Sequence, residues 1–150
     1  MAAQDQRSFL GPIKHRLRTL ALERIEIYDE HRLQDDHAGG GLDLRQIILP
    51  CIDKSDLFIL LLTPNSDTSA WCQEEYERAK KNQARFGTPM VIVVYCSSVK
   101  DLQRYSERML VPDPRRAMDE YEDSNEAWYR LDEVIGRCLV RLQRISWKGH

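Results

Sequence analysis

The stretch LFILLLTPNSDTSAWCQEEYERAKKNQARFGTPMVIVVYC, residues 57–96, decides the fold. Its opening run, LFILLLT at 57–63, is continuously apolar up to its last residue and lies between turn-forming residues. That pattern marks a strand covered on both faces. PNSDTSA then turns the chain, and Ser69 is placed to cap a helix from about Ala70 to Phe86, with Gly87 as its stop. PMVIVVYC, 89–96, is a second buried strand by the same reasoning. A buried strand, an amphipathic helix and another buried strand imply an α/β domain with a mostly parallel sheet. Ligands of such sheets gather at the carboxyl ends of the strands, so 28–42, 63–75 and 96–100 are the segments to inspect.

On the amino-terminal side, Phe9, Ile13, Leu17 and Leu20 recur at helical spacing. Gly11 and Pro12 interrupt the early part, which puts the start of the regular helix near Pro12. Ile25 and Ile27 alternate with polar residues over 25–30 as in a short strand, and HRLQDDHAGGG reads as a loop. DLRQIILPCI, 43–52, reads as a short helix bent or ended by Pro50. On the carboxyl-terminal side, a short helix around 100–107 and a short strand near 108–112 are expected. The charged run DPRRAMDEYED reads as a solvated loop. Ala127, Trp128, Leu131, Val134, Ile135, Cys138, Leu139 and Leu142 form the wide apolar stripe of a long helix over 125–143.

With 150 residues, the chain is read as one domain, 1–150, long enough to bury a real core. Lys and Arg number 22 against 24 Asp and Glu, a net charge of −2. A binder driven by nucleic-acid phosphates needs a basic excess, so direct nucleic-acid binding is not expected. No apolar run reaches the roughly 18 residues that span a bilayer, and the start has no basic-then-apolar order, so neither a membrane span nor a signal peptide is read. Cys51, Cys72, Cys96 and Cys138 show no metal-ligand spacing. Reduced thiols and a cytoplasmic location fit them, and no metal is expected.

The most informative segment leads from strand to helix through Thr63, Ser69 and Trp71 to Glu74 and Glu75. At about 100° per residue, Cys72, Tyr76, Ala79, Gln83 and Phe86 share the buried stripe. Glu75 falls about 60° to one side of it, near Trp71, while Glu74 points into water. A half-buried carboxylate beside an indole can act as base, nucleophile or cation stabiliser. The plainer alternative is a first-turn acid that favours the helix macrodipole and does nothing else. A second constellation, Tyr28, Asp29, His31 and Arg32 ahead of Gly39–Gly41, lies at another strand end. Arg32 is suited to a phosphate, yet no phosphate-loop fingerprint is present, and a surface loop is the plainer reading.

These pieces, in this order, resemble a bacterial Toll/interleukin-1 receptor (TIR) domain from Asp5 to about Leu142. The resemblance rests on Tyr28-Asp29-Glu30, a glycine and Leu42 before the short helix, Ile48, Ile52, Ser55, the strand 57–63, and Ser69-x-Trp71-Cys72-x-x-Glu75. It implies a flavodoxin-like fold, with helices on both faces of a mostly parallel sheet. By the same comparison, the sequence starts where the residues after the family's first strand belong, so that strand is not assigned to any segment.

For activity, the resemblance implies NAD+ hydrolysis or cyclisation with loss of nicotinamide; the alternative is a scaffold that acts only through TIR–TIR assembly. In catalytic members the acid of the WCxxE-type motif is essential, and here that position is Glu75. Tyr28, Asp29, Arg32, Thr63, Ser69 and Trp71 are the substrate-binding candidates. NAD+ is expected as substrate, with no separate cofactor. The expected partners are further copies of the domain and a fused or separate sensor, in bacterial antiphage signalling. A receiver-like domain is a weaker reading, since Asp29-Glu30 and Lys100 only loosely imitate its site.

Overall fold

Leu57–Leu62 (β1) and Met90–Tyr95 (β2) lie side by side as parallel strands in the computed structural model, which describes residues 6–20 and 44–148. Leu57 stands opposite Met90 and Leu62 opposite Tyr95. Leu110–Val111 (β3) pairs in parallel with β2, Val93 facing Leu110, so the described sheet runs β1-β2-β3.

Alternation along the strands sends successive side chains to opposite faces, and both faces are covered. On one side Leu61, Ile92 and Val94 meet Phe9, Ile13 and Leu17 of helix α1 (Gln6–Leu20). Ala127, Leu131, Ile135 and Leu139 complete that cluster from the carboxyl-terminal helix, Ser124–Lys148. On the other side Leu60, Leu62, Val91 and Val93 pack with Ile48 and Ile52 of helix α2 (Leu44–Lys54). Tyr76 and Ala79 of the helix Ala70–Phe86 share that face. The fold is therefore the expected flavodoxin-like α/β arrangement, a parallel sheet with helices on both faces. Coverage is uneven at the start of β1, where Leu57, Phe58 and Ile59 are only half-buried.

Two prolines behave differently from the sequence expectation. Helix α1 begins at Gln6, not near Pro12, and α2 continues through Pro50 to Lys54. Each proline removes one helix hydrogen bond and costs about 3 kcal/mol in an interior turn. Phe9, Ile13 and Leu17 lie at i, i+4 and i+8 around Pro12, each at most 6% exposed. Burying side chains of that size contributes about 1.5–3 kcal/mol each, enough to hold the turn together. Ile48 and Ile52 bracket Pro50 in the same way.

Three further expectations are corrected. Phe86 is 66% exposed, because the buried stripe of its helix ends before the last turn. The charged run at 113–123 is not simply solvated: Ala117, Met118 and Tyr121 are buried, with a 3-10 turn at Met118–Glu120 and the Arg116 guanidinium 3.8 Å above the Tyr121 ring. The expected helix at 100–107 is only a 3-10 turn, Leu102–Arg104, whereas the expected strand near 108–112 is present as β3. Trp128 packs at an edge, its ring 6.0 Å from Phe9 and under the Arg16 guanidinium at 4.3 Å. Arg16 also pairs with Asp132 at 2.9 Å, tying α1 to the last helix.

Leu131 is fully buried and Val140, on the same helix, is 48% exposed. Leu131→Ala should lower unfolding free energy by about 2–5 kcal/mol in chemical denaturation, and Val140→Ala by no more than about 0.5 kcal/mol.

Candidate functional site

At the carboxyl end of β1 the chain enters a short helix, α3 (Pro64–Thr68), where a simple turn was expected. Thr63 caps it: its hydroxyl accepts from the Ser66 N–H at 3.3 Å, and the Ser66 hydroxyl accepts from the Thr63 N–H at 2.9 Å. The Ser66 hydroxyl also donates back to the Leu61 carbonyl at 2.8 Å. Proline at the first helical position leaves no amide unsatisfied there, which suits Pro64. Thr63 is fully buried, with its hydroxyl engaged in this cap.

Ser69 ends α3 and starts α4 (Ala70–Phe86), as its side chain accepts from the Cys72 N–H at 3.2 Å. Gly87 closes α4 in the left-handed region, φ 79°, and its N–H donates to the Gln83 carbonyl at 2.9 Å. Only glycine adopts that backbone freely. Both ends of α4 are therefore where the sequence put them.

Glu75 is half-buried, as are Trp71 and Cys72. Trp71 and Glu75 are four residues apart and so are neighbours on one ridge of α4. Trp71 and Cys72 pack against the cluster of Leu62, Tyr76 and Val93. Glu74 is half-buried rather than pointing into water. The first turn of α4 contains no acid, so Glu75 is not the first-turn residue of the plainer alternative. Glu75 stands six residues past its cap, roughly 9 Å along the axis, and macrodipole effects fade within the first turn. The plainer explanation for an acid at this position is thereby weakened.

A polar cluster that the sequence did not reveal braces this helix start. Asp67 and Tyr105 are both buried, and the Tyr105 hydroxyl donates to Asp67 Oδ1 at 2.7 Å. Gln73 Nε2 donates to the same hydroxyl at 2.8 Å and to the Ser66 carbonyl at 3.3 Å. Arg104 donates to the Asp67 carbonyl at 3.0 Å and lies 3.6 Å from its carboxylate. Burial, with the Asp67 carboxylate alongside, holds the Tyr105 phenol protonated well above its ordinary range. The Thr-Pro-x-Ser spacing at 63–66 is the signal that could have revealed α3. No local signal joins Asp67 to Tyr105 across 38 residues.

At the end of β2, the Cys96 and Ser97 N–H groups both donate to the Leu62 carbonyl, at 3.0 and 3.2 Å. The Ser97 side chain is buried, and its hydroxyl has no hydrogen-bond partner among the described residues. Burial pushes the neighbouring Cys96 thiol far above its ordinary range, which makes it a packing group and not a nucleophile. Farther along α4, Arg78 grips Asp53 of α2 with two hydrogen bonds, 2.8 and 2.6 Å, and Asn82 adds a third at 2.7 Å. The Arg78 guanidinium holds the Asp53 carboxyl down from 3.8 to about 2. The expected strand at 25–30 and the loop bearing Tyr28, Asp29, His31 and Arg32 lie outside the described residues. Among the described residues no group of three or more His, Cys, Asp or Glu side chains could hold a metal, and no helix is long and apolar enough to cross a membrane.

The parallel sheet, covered on both faces, with a capped helix leaving the carboxyl end of β1, defines an α/β domain, and Thr63, Ser69 and Ser97 lie at the carboxyl end of its strands. The TIR domain family model matches residues 2–129, and the chain belongs to that family. No curated protein and no solved structure matches it.

Removing the Ser69 cap by Ser69→Ala should cost about 0.5–2 kcal/mol of stability in chemical denaturation. The Asp53 ion pair gives a pH signature with a fixed sign. A depressed carboxylate pKa stabilises the fold above about pH 4 and loses that contribution as pH falls towards 2. Asp53→Asn should therefore lower the melting temperature slightly at pH 7, since the pair is solvent-exposed, and the difference from wild type should vanish near pH 2.

Proposed function

We propose that the chain is a TIR-domain NAD+ hydrolase or cyclase that breaks the bond between nicotinamide and ribose, with Glu75 as its catalytic carboxylate. The observation that carries the reading is the position of Glu75: half-buried, one helical turn beyond Trp71, on the helix that leaves the carboxyl end of β1. A half-buried side chain there is partly shielded from bulk water, and it lies past the first helical turn, where macrodipole effects are strongest.

The chemistry suits such a group. Nicotinamide in NAD+ is a cationic leaving group, so no acid is needed to protonate it. As the ribose C1′–N bond breaks, its electron pair leaves with nicotinamide, which departs neutral. The ribose takes on oxocarbenium character, as in glycoside cleavage. A fixed carboxylate holds the ribose hydroxyls and stabilises the positive charge as it develops. Water then adds to C1′ and loses a proton, giving ADP-ribose; in a cyclase an internal nucleophile takes its place. Trp71 offers a surface for stacking and for excluding water, and Ser69 and Thr63 frame the strand end beside it. Tyr28, Asp29 and Arg32 are kept from the sequence as substrate-binding candidates, with Arg32 suited to the pyrophosphate. Self-association of several copies, prompted by a fused or separate sensor in antiphage defence, is the proposed trigger.

The test is nicotinamide release from NAD+ by the purified chain, at concentrations that favour assembly. Glu75→Gln should lower the rate at least about 100-fold, as loss of other preorganised electrostatic groups does. Equal rates for the two proteins would remove Glu75 from the chemistry. Assembly without NAD+ loss by wild type would favour a scaffold.

A further inference from the structure

Tyr105 contacts α4 at two residues that bracket Glu75 in sequence. Its hydroxyl takes a hydrogen bond from Gln73, two residues before Glu75, and its ring lies 5.3 Å from the ring of Tyr76, the residue after it. The same hydroxyl donates to Asp67 on α3, so one oxygen bridges the two helices that meet at Ser69. Arg104, its neighbour, fastens the Asp67 backbone at 3.0 Å. The segment after β2 thus holds the start of α4 from outside the helix itself.

We propose that Tyr105 and Asp67 are positioning residues: their hydrogen bond fixes the α3–α4 junction and, through Gln73 and Tyr76, the placement of the Glu75 carboxylate. This rests on the assignment of Glu75 above and adds the device that aims it. Buried polar bridges of this kind define one geometry because any other leaves a group unsatisfied. Asp67 is buried, so without the phenol its Oδ1 loses that short bond and, among the described residues, keeps the more distant Arg104. Gln73 keeps its weaker bond to the Ser66 carbonyl, and the junction can then slide.

The experiment compares Tyr105→Phe, Asp67→Ala, Asp67→Asn and the double variant Asp67→Ala/Tyr105→Phe in the full chain, well below their melting temperatures. Two readouts are taken: kcat and KM for nicotinamide release, and amide hydrogen exchange over 69–76. Tyr105→Phe and Asp67→Ala should lower kcat about 10- to 100-fold with KM nearly unchanged, the signature of a misplaced transition-state group. Amides at 69–76 should exchange faster in both. Asp67→Asn keeps the acceptor oxygen and should retain most of the rate and protection. The double variant should be no worse than the worse single, because both remove one bond. Unchanged exchange and kcat in folded Tyr105→Phe would overturn the proposal, as would a loss confined to KM or an Asp67→Asn as impaired as Asp67→Ala. If Tyr105→Phe does not fold, the two Asp67 variants make the same comparison. A wild-type chain without nicotinamide release overturns the catalytic assignment, and exchange over 69–76 then decides the positioning role alone.

Discussion

The carbonyl of Leu62 is where β1 and β2 stop pairing and their chains turn away from the sheet. It accepts the N–H groups of both Cys96 and Ser97, so β1 and β2 end in register and their chains leave together. From one exit the chain goes directly into the capped helix α3 and then α4; from the other it crosses to Leu102–Arg104 and Tyr105. The contact between Asp67 and Tyr105 is possible only because these two exits are adjacent. Parallel pairing of β1 with β2 is thus the constraint on which the whole carboxyl-end arrangement depends. Burial of both sheet faces supplies its driving force.

Much of this was legible from one strand-helix-strand stretch. The apolar runs at 57–63 and 89–96 are strands, Ser69 and Gly87 bound the intervening helix, and the long stripe after Ala127 packs as a helix. These features are local: a period, a cap, a stop. What was misread has non-local causes. Pro12 and Pro50 carry strong local penalties that are outweighed by aliphatic burial against a sheet distant in sequence. Phe86 has the right helical angle for burial but lies beyond the part of the sheet that α4 covers.

The candidate site was legible in the same uneven way. Glu75 stands out because its helix and its motif are contiguous in sequence. Its environment was harder to read, since the angular argument placed Glu74 in water. Asp67 falls within the expected turn and Tyr105 within the short helix expected around 100–107, with nothing to single out either. Only the folded chain brings them within 2.7 Å. A residue that performs chemistry tends to lie in a recognisable local context, whereas one that orients it is often supplied from another element and leaves no motif.

The brevity of β3 also bears on how copies of the chain can meet. At two residues, it is the strand that ends the described sheet beyond β2. So short a border presents few backbone donors and acceptors in a row, and a neighbouring molecule finds almost no ladder there to extend. Along the described edge, continuous strand addition by a neighbouring chain is therefore disfavoured.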